Sequence, residues 1–271
     1  MKKTILITGA SSGIGAATAQ LFLNKGWNVI ATMRSPEKQT ALVNPDQLLL
    51  TRLDVLDLNS IQEAVDRGIQ KFGRIDVLVN NAGYGAYGPL EAFKHEQITR
   101  QFNTNVIGLL DVTKALLPHF RANKSGIIIN VSSLGGRVAM PLGSLYHGTK
   151  FAVEGISEAL SYEVEQFGGK VKIVEPGAVI TDFMTRSLDF TNDESLAEYQ
   201  PLVQKTLTGV PEFYKNAAPA SLTAEVIFQA ATDGRDQLRY TAGEDAQMLA
   251  TLRAQGDDSQ VTNWMKTLFA I

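Results

Sequence analysis

Thr8-Gly9-Ala10-Ser11-Ser12-Gly13-Ile14-Gly15 follows directly on the apolar run Ile5-Leu6-Ile7. It opens a stretch with helical spacing at Ile14, Ala17, Leu21 and Phe22, closed by Asn24-Lys25-Gly26. Glycines at such a junction let the backbone turn tightly and let a ligand approach it, while the helix offers free N–H groups and the positive end of its dipole. The turn is therefore an anion-site candidate, with Gly9, Ser11, Ser12, Gly13, Ile14 and Gly15 as contacts. A triphosphate-binding loop is excluded, because the cluster runs on into Gly13-Ile14-Gly15-Ala16 and lacks the Gly-Lys-Ser/Thr ending. In isolation a plain strand-to-helix turn would look the same, so the rest of the chain has to decide.

Outward from this turn, short apolar runs recur at Trp27 to Met33, Leu48 to Leu53, Ile75 to Val79, Ile127 to Val131 and Val171 to Val174, most followed by a helical stretch. Buried parallel strands joined by right-handed helical crossovers give an α/β fold, a doubly wound parallel sheet with ligands at the strands' carboxyl ends. No repeat, low-complexity tract or linker divides residues 1–271, so one domain is expected. Residues 182–218 are polar and poorly periodic yet carry Phe183, Phe190, Tyr199, Phe213 and Tyr214, which predicts a lid over a bound substrate. Residues 243–271 form an extension with Met248, Leu249, Leu252, Trp264, Met265, Leu268 and Phe269. Whether it packs over the domain or governs an interface is open at this point.

The 271 residues are 44% hydrophobic and 20% charged, a globular balance, and the net charge of −3 supplies no basic field for nucleic acid or an anionic membrane. The absence of cysteine removes disulfides, thiolate nucleophiles and cysteine-based metal sites. The apolar run after Met1-Lys2-Lys3 stops at Gly9, too short for a signal peptide, and no later run is long enough to span a bilayer. A cytoplasmic protein is expected.

The second strand ends Ala31-Thr32-Met33-Arg34-Ser35, without the carboxylate that would accept a ribose 2′-hydroxyl. Arg34, with Ser12, suits a 2′-phosphate instead, which favours NADP(H) over NAD(H). After the third strand Asp54 can accept from an adenine amino group beside the Val55 backbone, although a helix cap would read the same. Tyr146 and Lys150 stand four residues apart ahead of the helical run Phe151 to Phe167, so both project from one helix face. An ammonium held near a phenol favours phenolate and brings its pKa toward working pH, which makes Tyr146 an acid/base candidate. Ser133 stands at the carboxyl end of the Ile127-to-Val131 strand, where such a sheet holds its site.

Taken in order, Thr-Gly-x-x-x-Gly-x-Gly at Thr8, Asn80-Asn81-Ala82-Gly83, Ser133, Tyr-x-x-x-Lys at Tyr146 and Lys150, and Pro176-Gly177 resemble the short-chain dehydrogenase/reductase family over roughly residues 3–240. The resemblance implies a Rossmann fold and an oxidoreductase in which Tyr146 exchanges the proton, Lys150 tunes it and holds the nicotinamide ribose, and Ser133 polarises the substrate oxygen. It implies that Asn105 anchors a proton-relaying water. It also implies that Asn81, Ala82 and Gly83 line the cofactor, and that Pro176, Gly177, Val179 and Thr181 grip the carboxamide. The wording around Tyr84 to Glu91 and at Arg239-Tyr240 is similar to the 17β-hydroxysteroid and retinol dehydrogenase branch. Leu134, Met140, Leu142, Phe183 and Met184, with Ser133 and Tyr146, are the substrate candidates, an apolar set suited to a hydrophobic ketone or aldehyde.

The three histidines, His95, His119 and His147, show no paired metal-ligand spacing. His95 and His119 are expected on solvated helix ends. His147 is expected to face away from the site, since adjacent helical residues diverge by about 100°. The helix after Tyr146 carries Phe151, Gly155 and Ala159 beyond what one sheet face needs, which predicts a homodimer or homotetramer through it and the Asn105-to-Leu117 helix. Two other readings compete. A non-catalytic dinucleotide sensor tends to lose the tyrosine or lysine, and both are present here. A sugar-nucleotide epimerase has Gly-x-x-Gly-x-x-Gly spacing and a larger C-terminal domain.

Overall fold

The computed structural model describes residues 2–44 and 46–271; Met1, which opens the N-terminal segment read above, and Pro45 lie outside them. In chain order the strands are β1 (Thr4–Ile7), β2 (Asn28–Met33), β3 (Leu48–Arg52), β4 (Val77–Asn80), β5 (Gly85–Tyr87), β6 (Gly126–Val131), β7 (Gly169–Pro176), β8 (Val179–Ile180), β9 (Leu188–Phe190), β10 (Ala218–Pro219) and β11 (Arg239–Ala242). The helices are α1 (Gly13–Asn24), α2 (Leu58–Phe72), α3 (His95–Phe102), α4 (Gly108–Ala122), α5 (Ser144–Glu165), α6 (Phe183–Arg186), α7 (Gln200–Phe213), α8 (Ala220–Thr232), α9 (Glu244–Gln255) and α10 (Asp258–Phe269).

Seven strands form one parallel sheet in the order β11-β7-β6-β4-β1-β2-β3. The chain runs outward from β1 to β3, then returns to β4 on the other side of β1. That reversal opens a crevice beyond the carboxyl ends of β1 and β4, the place where such sheets bind ligands. The strands read as unbroken apolar runs because both faces are covered. Phe22 and Trp27 pack with Ile227 of α8 on one face, and Ile61 of α2, Leu116 and Phe120 of α4 and Val164 of α5 cover the other. Between β4 and β6, Asn80 donates to Asn130 and to Thr113 of α4, and Asn130 donates to Ser157 of α5, so buried amides peg both helices to the sheet.

Two expectations change and one open question is answered. The edge strand β11 was not among the expected runs, since Arg239-Tyr240-Thr241-Ala242 buries only alternate residues. Residues 182–218 are not aperiodic throughout, because they contain α7. Its stripe was obscured by Thr206 at a buried position and by Pro211 inside its last turn. The extension packs over the domain: Leu249, Val261, Met265 and Phe269 form a third core with Leu134 and Val138, and Phe269 seats against Gly209 of α7, where a Cβ would be 2.6 Å away. Among the described residues no helix is long and apolar enough to cross a membrane.

Candidate active site

One cleft of about 560 Å³ opens at the carboxyl ends of the central strands. Gly9, Ser11, Ser12, Gly13 and Ile14 form part of its wall. Gly9 (φ 68) and Gly13 (φ 54) take the left-handed conformation that the turn requires. α1 begins at Gly13 with no side-chain cap from Ser12 and no acidic residue in its first turn, so its leading N–H groups are free to meet an anion. Gly15 is off the wall. A Cβ there would overlap the Gly9 carbonyl oxygen and stand 2.6 Å from Asn81 Nδ2, so Gly15 serves the close approach of helix to turn. Asn81 also donates to the carbonyls of Thr8 and Gly9, and its N–H and that of Ala82 reach the Thr8 hydroxyl. The turn after β1 is thereby sewn to the end of β4.

Arg34, Asp54 and Val55 share this wall with Asn81, Ala82 and Gly83. Asp54 does not cap α2. Asp57 does, accepting from Asn59 and Ser60, while Asp54 Oδ1 accepts the Leu56 N–H. Pro176, Gly177, Val179 and Thr181 complete the cofactor set, and the Thr181 methyl lies over Gly13, 3.3 Å from where its Cβ would be. These groups fit a dinucleotide: an uncapped helix start for the pyrophosphate, a cation at the end of β2 and a lined floor between β4 and β7.

Ser133, Tyr146 and Lys150 stand on the same wall. α5 carries Tyr146 and Lys150 one turn apart, and the end of β6 carries Ser133. Lys150 Nζ donates to the Val131 carbonyl at 2.9 Å and lies 5.8 Å from the centre of the Tyr146 ring. The expectation that Lys150 acidifies Tyr146 is not met in this structure. Burial against Tyr87 and Phe183 pushes the Tyr146 phenol up to about 12; the Ser133 hydrogen bond opposes that shift. Burial likewise brings the Lys150 ammonium down to about 8, with Glu154 partly restoring it. Desolvation is the largest cause of the shift at both groups.

Asn105 is not on the wall. It sits in a π-helical turn at Asn103–Ile107, where its Oδ1 accepts the Tyr84 N–H and its Nδ2 donates to the Tyr84 carbonyl and to Thr149 of α5. With these contacts satisfied, Asn105 braces the β4 loop against α5. Among the substrate candidates Leu134, Met140 and Phe183 reach the wall, whereas Leu142 and Met184 do not. Leu142 has φ 61, its carbonyl accepts the Gly88 N–H and its side chain is buried. Met184, on the one-turn α6 beside Phe183, is half-buried off the cleft.

His147 is off the wall, as expected, but it is buried rather than idle. Met140 N–H donates to Nε2, which therefore carries no proton, and Nδ1 donates to the Gly135 carbonyl. The ring is neutral, and burial brings its pKa down to about 4. It pins the 134–143 loop to α5, entering between Gly135 and Gly143, where any Cβ would collide with it. His119 is half-buried and accepts the Ile75 N–H, while His95 is exposed.

Several contributors were not singled out as site residues. Asp245 of α9 accepts the Ala178 N–H at 2.6 Å, tying the extension to the Pro176–Ala178 segment. Tyr87 and Tyr214 line the cleft beside Tyr146, and Arg100, Arg186 and Asp189 line it too. Behind Lys150, buried Glu154 and Glu175 pair with Arg239 and Arg137, at 2.9 Å and 3.1 Å respectively. Apart from Tyr87 and Arg239, which fall in the stretches likened to the hydroxysteroid and retinol dehydrogenase branch, none lies in a local motif.

Residues 3–192 match the family described as short chain dehydrogenase. The chain belongs to the short-chain dehydrogenase family. It is 48% identical over 227 residues to an oxidoreductase of Schizosaccharomyces pombe, covering 84% of this chain and 95% of the relative. A crystal structure of a short-chain dehydrogenase from Streptomyces avermitilis superposes with TM-score 0.84 at 34% identity, covering 98% of this chain and 97% of that one. ElxO with NADP bound superposes with TM-score 0.74 at 29% identity, covering 89% and 97%. As a short-chain dehydrogenase the chain is an oxidoreductase on a Rossmann sheet, and its family sequence order matches the order in which β1, β4, β6, α5 and β7 deliver residues to the cleft.

Proposed function

We propose that this protein interconverts a small-molecule ketone or aldehyde and the corresponding alcohol with NADP(H), in the cytoplasm. The observation that carries the reading is the meeting of Ser133, Tyr146 and Lys150 on the wall that also holds the uncapped start of α1 and Arg34. The dinucleotide supplies or accepts hydride when bound. Tyr146 gives its phenolic proton to the substrate oxygen in reduction and takes one back in oxidation. Ser133 hydrogen-bonds the same oxygen and holds it in line. Lys150, mostly cationic at neutral pH, offsets the charge of the phenolate that reduction leaves. The likeness to ElxO with NADP bound supports the cofactor, and Arg34 favours the phosphorylated form. Exposed Ile107 beside α4 and Phe151 and Tyr162 on α5 support assembly as a homodimer or homotetramer through those faces.

A panel of ketones and aldehydes assayed by nicotinamide absorbance, with NADPH and NADH in parallel, tests both parts of the reading. Arg34→Asp should reverse the cofactor preference, costing NADPH about tenfold or more in kcat/KM and sparing NADH, because a charge-assisted phosphate contact becomes a repulsion. Unchanged NADPH kinetics in that variant would remove Arg34 from the site.

The buried phenol also sets a pH dependence. With its pKa pushed up to about 12, Tyr146 stays protonated well past neutrality, so carbonyl reduction should be flat from roughly pH 6 to 7 and then fall as Lys150, brought down to about 8, loses the charge that offsets the phenolate. Alcohol oxidation needs the phenolate, whose population grows about tenfold per pH unit below that pKa, so its kcat/KM should climb through the same range. Parallel profiles in the two directions would contradict the assignment of Tyr146 as the proton-exchanging group.

A further inference from the structure

We propose that Tyr87 and Tyr214 hydrogen-bond a second oxygen of the substrate, so that the preferred compounds are hydroxyketones or dicarbonyls rather than simple ketones. This deepens the carbonyl–alcohol reading above and rests on it.

The two residues come from distant parts of the chain, Tyr87 at the end of β5 and Tyr214 just after α7, and both line the cleft. The Tyr87 ring is held in place: its centre is 5.4 Å from that of Tyr146 at 31° and 6.0 Å from that of His147, edge to face. Gly143 makes room for it, since a Cβ there would be 3.0 Å from the Tyr87 ring. Both residues line the cleft that the Tyr146 phenol lines. Repulsion from Tyr146 and Tyr214 adds to burial in pushing Tyr87 up, and repulsion from Tyr214 adds to burial in pushing Tyr146 up.

Three other tyrosine hydroxyls find protein partners: Tyr84 accepts from Arg100, Tyr199 donates to Glu91 and Tyr240 donates to Asp233, while Tyr162 is exposed to water. Those of Tyr87 and Tyr214 have none among the described residues. A phenol kept in a half-buried cleft without a partner is poised for a ligand's oxygen. Where the wall needs only an apolar face it uses Phe183 and Phe213. The first substrate oxygen is met by Tyr146 and Ser133; a second one close by, on the same small molecule, is what two further phenols can recognise.

The test compares 2-hydroxycyclohexanone with 2-methylcyclohexanone, which match in ring and bulk and differ in the second oxygen. The wild type should favour the hydroxyketone by about tenfold or more in kcat/KM, and Tyr87→Phe and Tyr214→Phe should each cut that ratio by about three- to tenfold. As a readout apart from turnover, trans-cyclohexane-1,2-diol and cyclohexanol are titrated calorimetrically into wild type, Tyr87→Phe and Tyr214→Phe with NADP+ present. The diol should bind more tightly to the wild type and lose that margin in both variants. Melting temperatures confirm that each variant is folded. A substrate ratio near one in the wild type, or a ratio that survives both substitutions, overturns the inference and leaves the proposed function standing. If neither ketone is reduced, the panel of ketones and aldehydes decides the proposed function. The diol margin then decides the second-oxygen site alone: its loss in the variants upholds the site, and its absence in the wild type overturns it.

Discussion

Tyr146→Phe is expected to lower kcat for carbonyl reduction by roughly 10²- to 10⁴-fold, the range lost when a positioned general acid is removed. The substitution takes away one oxygen and leaves the ring, which packs against Tyr87, Phe183 and His147. The fold should therefore persist, with a melting temperature close to that of the wild type. The dissociation constant for NADPH, measured by fluorescence titration, should stay within about twofold, because the glycine turn and Arg34 lie on other elements and are untouched. Separation of these readouts is the point. A variant that loses turnover together with cofactor binding would mean that Tyr146 supports the cleft rather than the proton transfer. A variant that retains turnover would dismiss Tyr146 as the acid and leave Ser133, Tyr87 and Tyr214 as the hydroxyl groups lining the cleft with it.

Gly15→Ala is expected to damage stability and cofactor affinity together, although it adds a single methyl group. The added carbon has nowhere to go: it would overlap the Gly9 carbonyl oxygen, which is backbone, and stand 2.6 Å from the Asn81 amide that holds the turn. Overpacking of this kind costs about 1–3 kcal/mol, seen as a lower urea midpoint. To relieve it, α1 must withdraw from the turn, carrying away the N–H groups that face the cleft. NADPH affinity should then fall by about tenfold or more. A stable variant that binds NADPH as the wild type does would show that helix and turn need not approach so closely.

How much of this could be read from the chain differs from residue to residue. Tyr146 and Lys150 were placed together because i and i+4 on one helix are neighbours whatever surrounds them, and the glycine turn was placed because strand, turn and helix are contiguous. The bracing role of Asn105 was not legible because its partners, Tyr84 and Thr149, are 21 and 44 residues away, and only their arrival engages its side-chain amide. Leu142 and Met184 were expected in the pocket on polarity alone, and the direction in which a loop side chain points is not encoded in its polarity. Helix α7 was overlooked because it buries its stripe against α10, with a threonine in the stripe, rather than against the sheet.

Local order along the chain determined the parallel sheet, the anion-binding turn and the pairing of phenol with ammonium on one helix, because each depends on spacing between near neighbours. Tertiary packing alone decided that Tyr146 is buried deeply enough to hold its proton, that Asp245 of the extension secures the segment after β7, and that Tyr87 and Tyr214 stand beside Tyr146. The physical reason is that desolvation and hydrogen-bond satisfaction depend on every group brought within a few ångströms, and those groups come from parts of the chain that no local pattern connects.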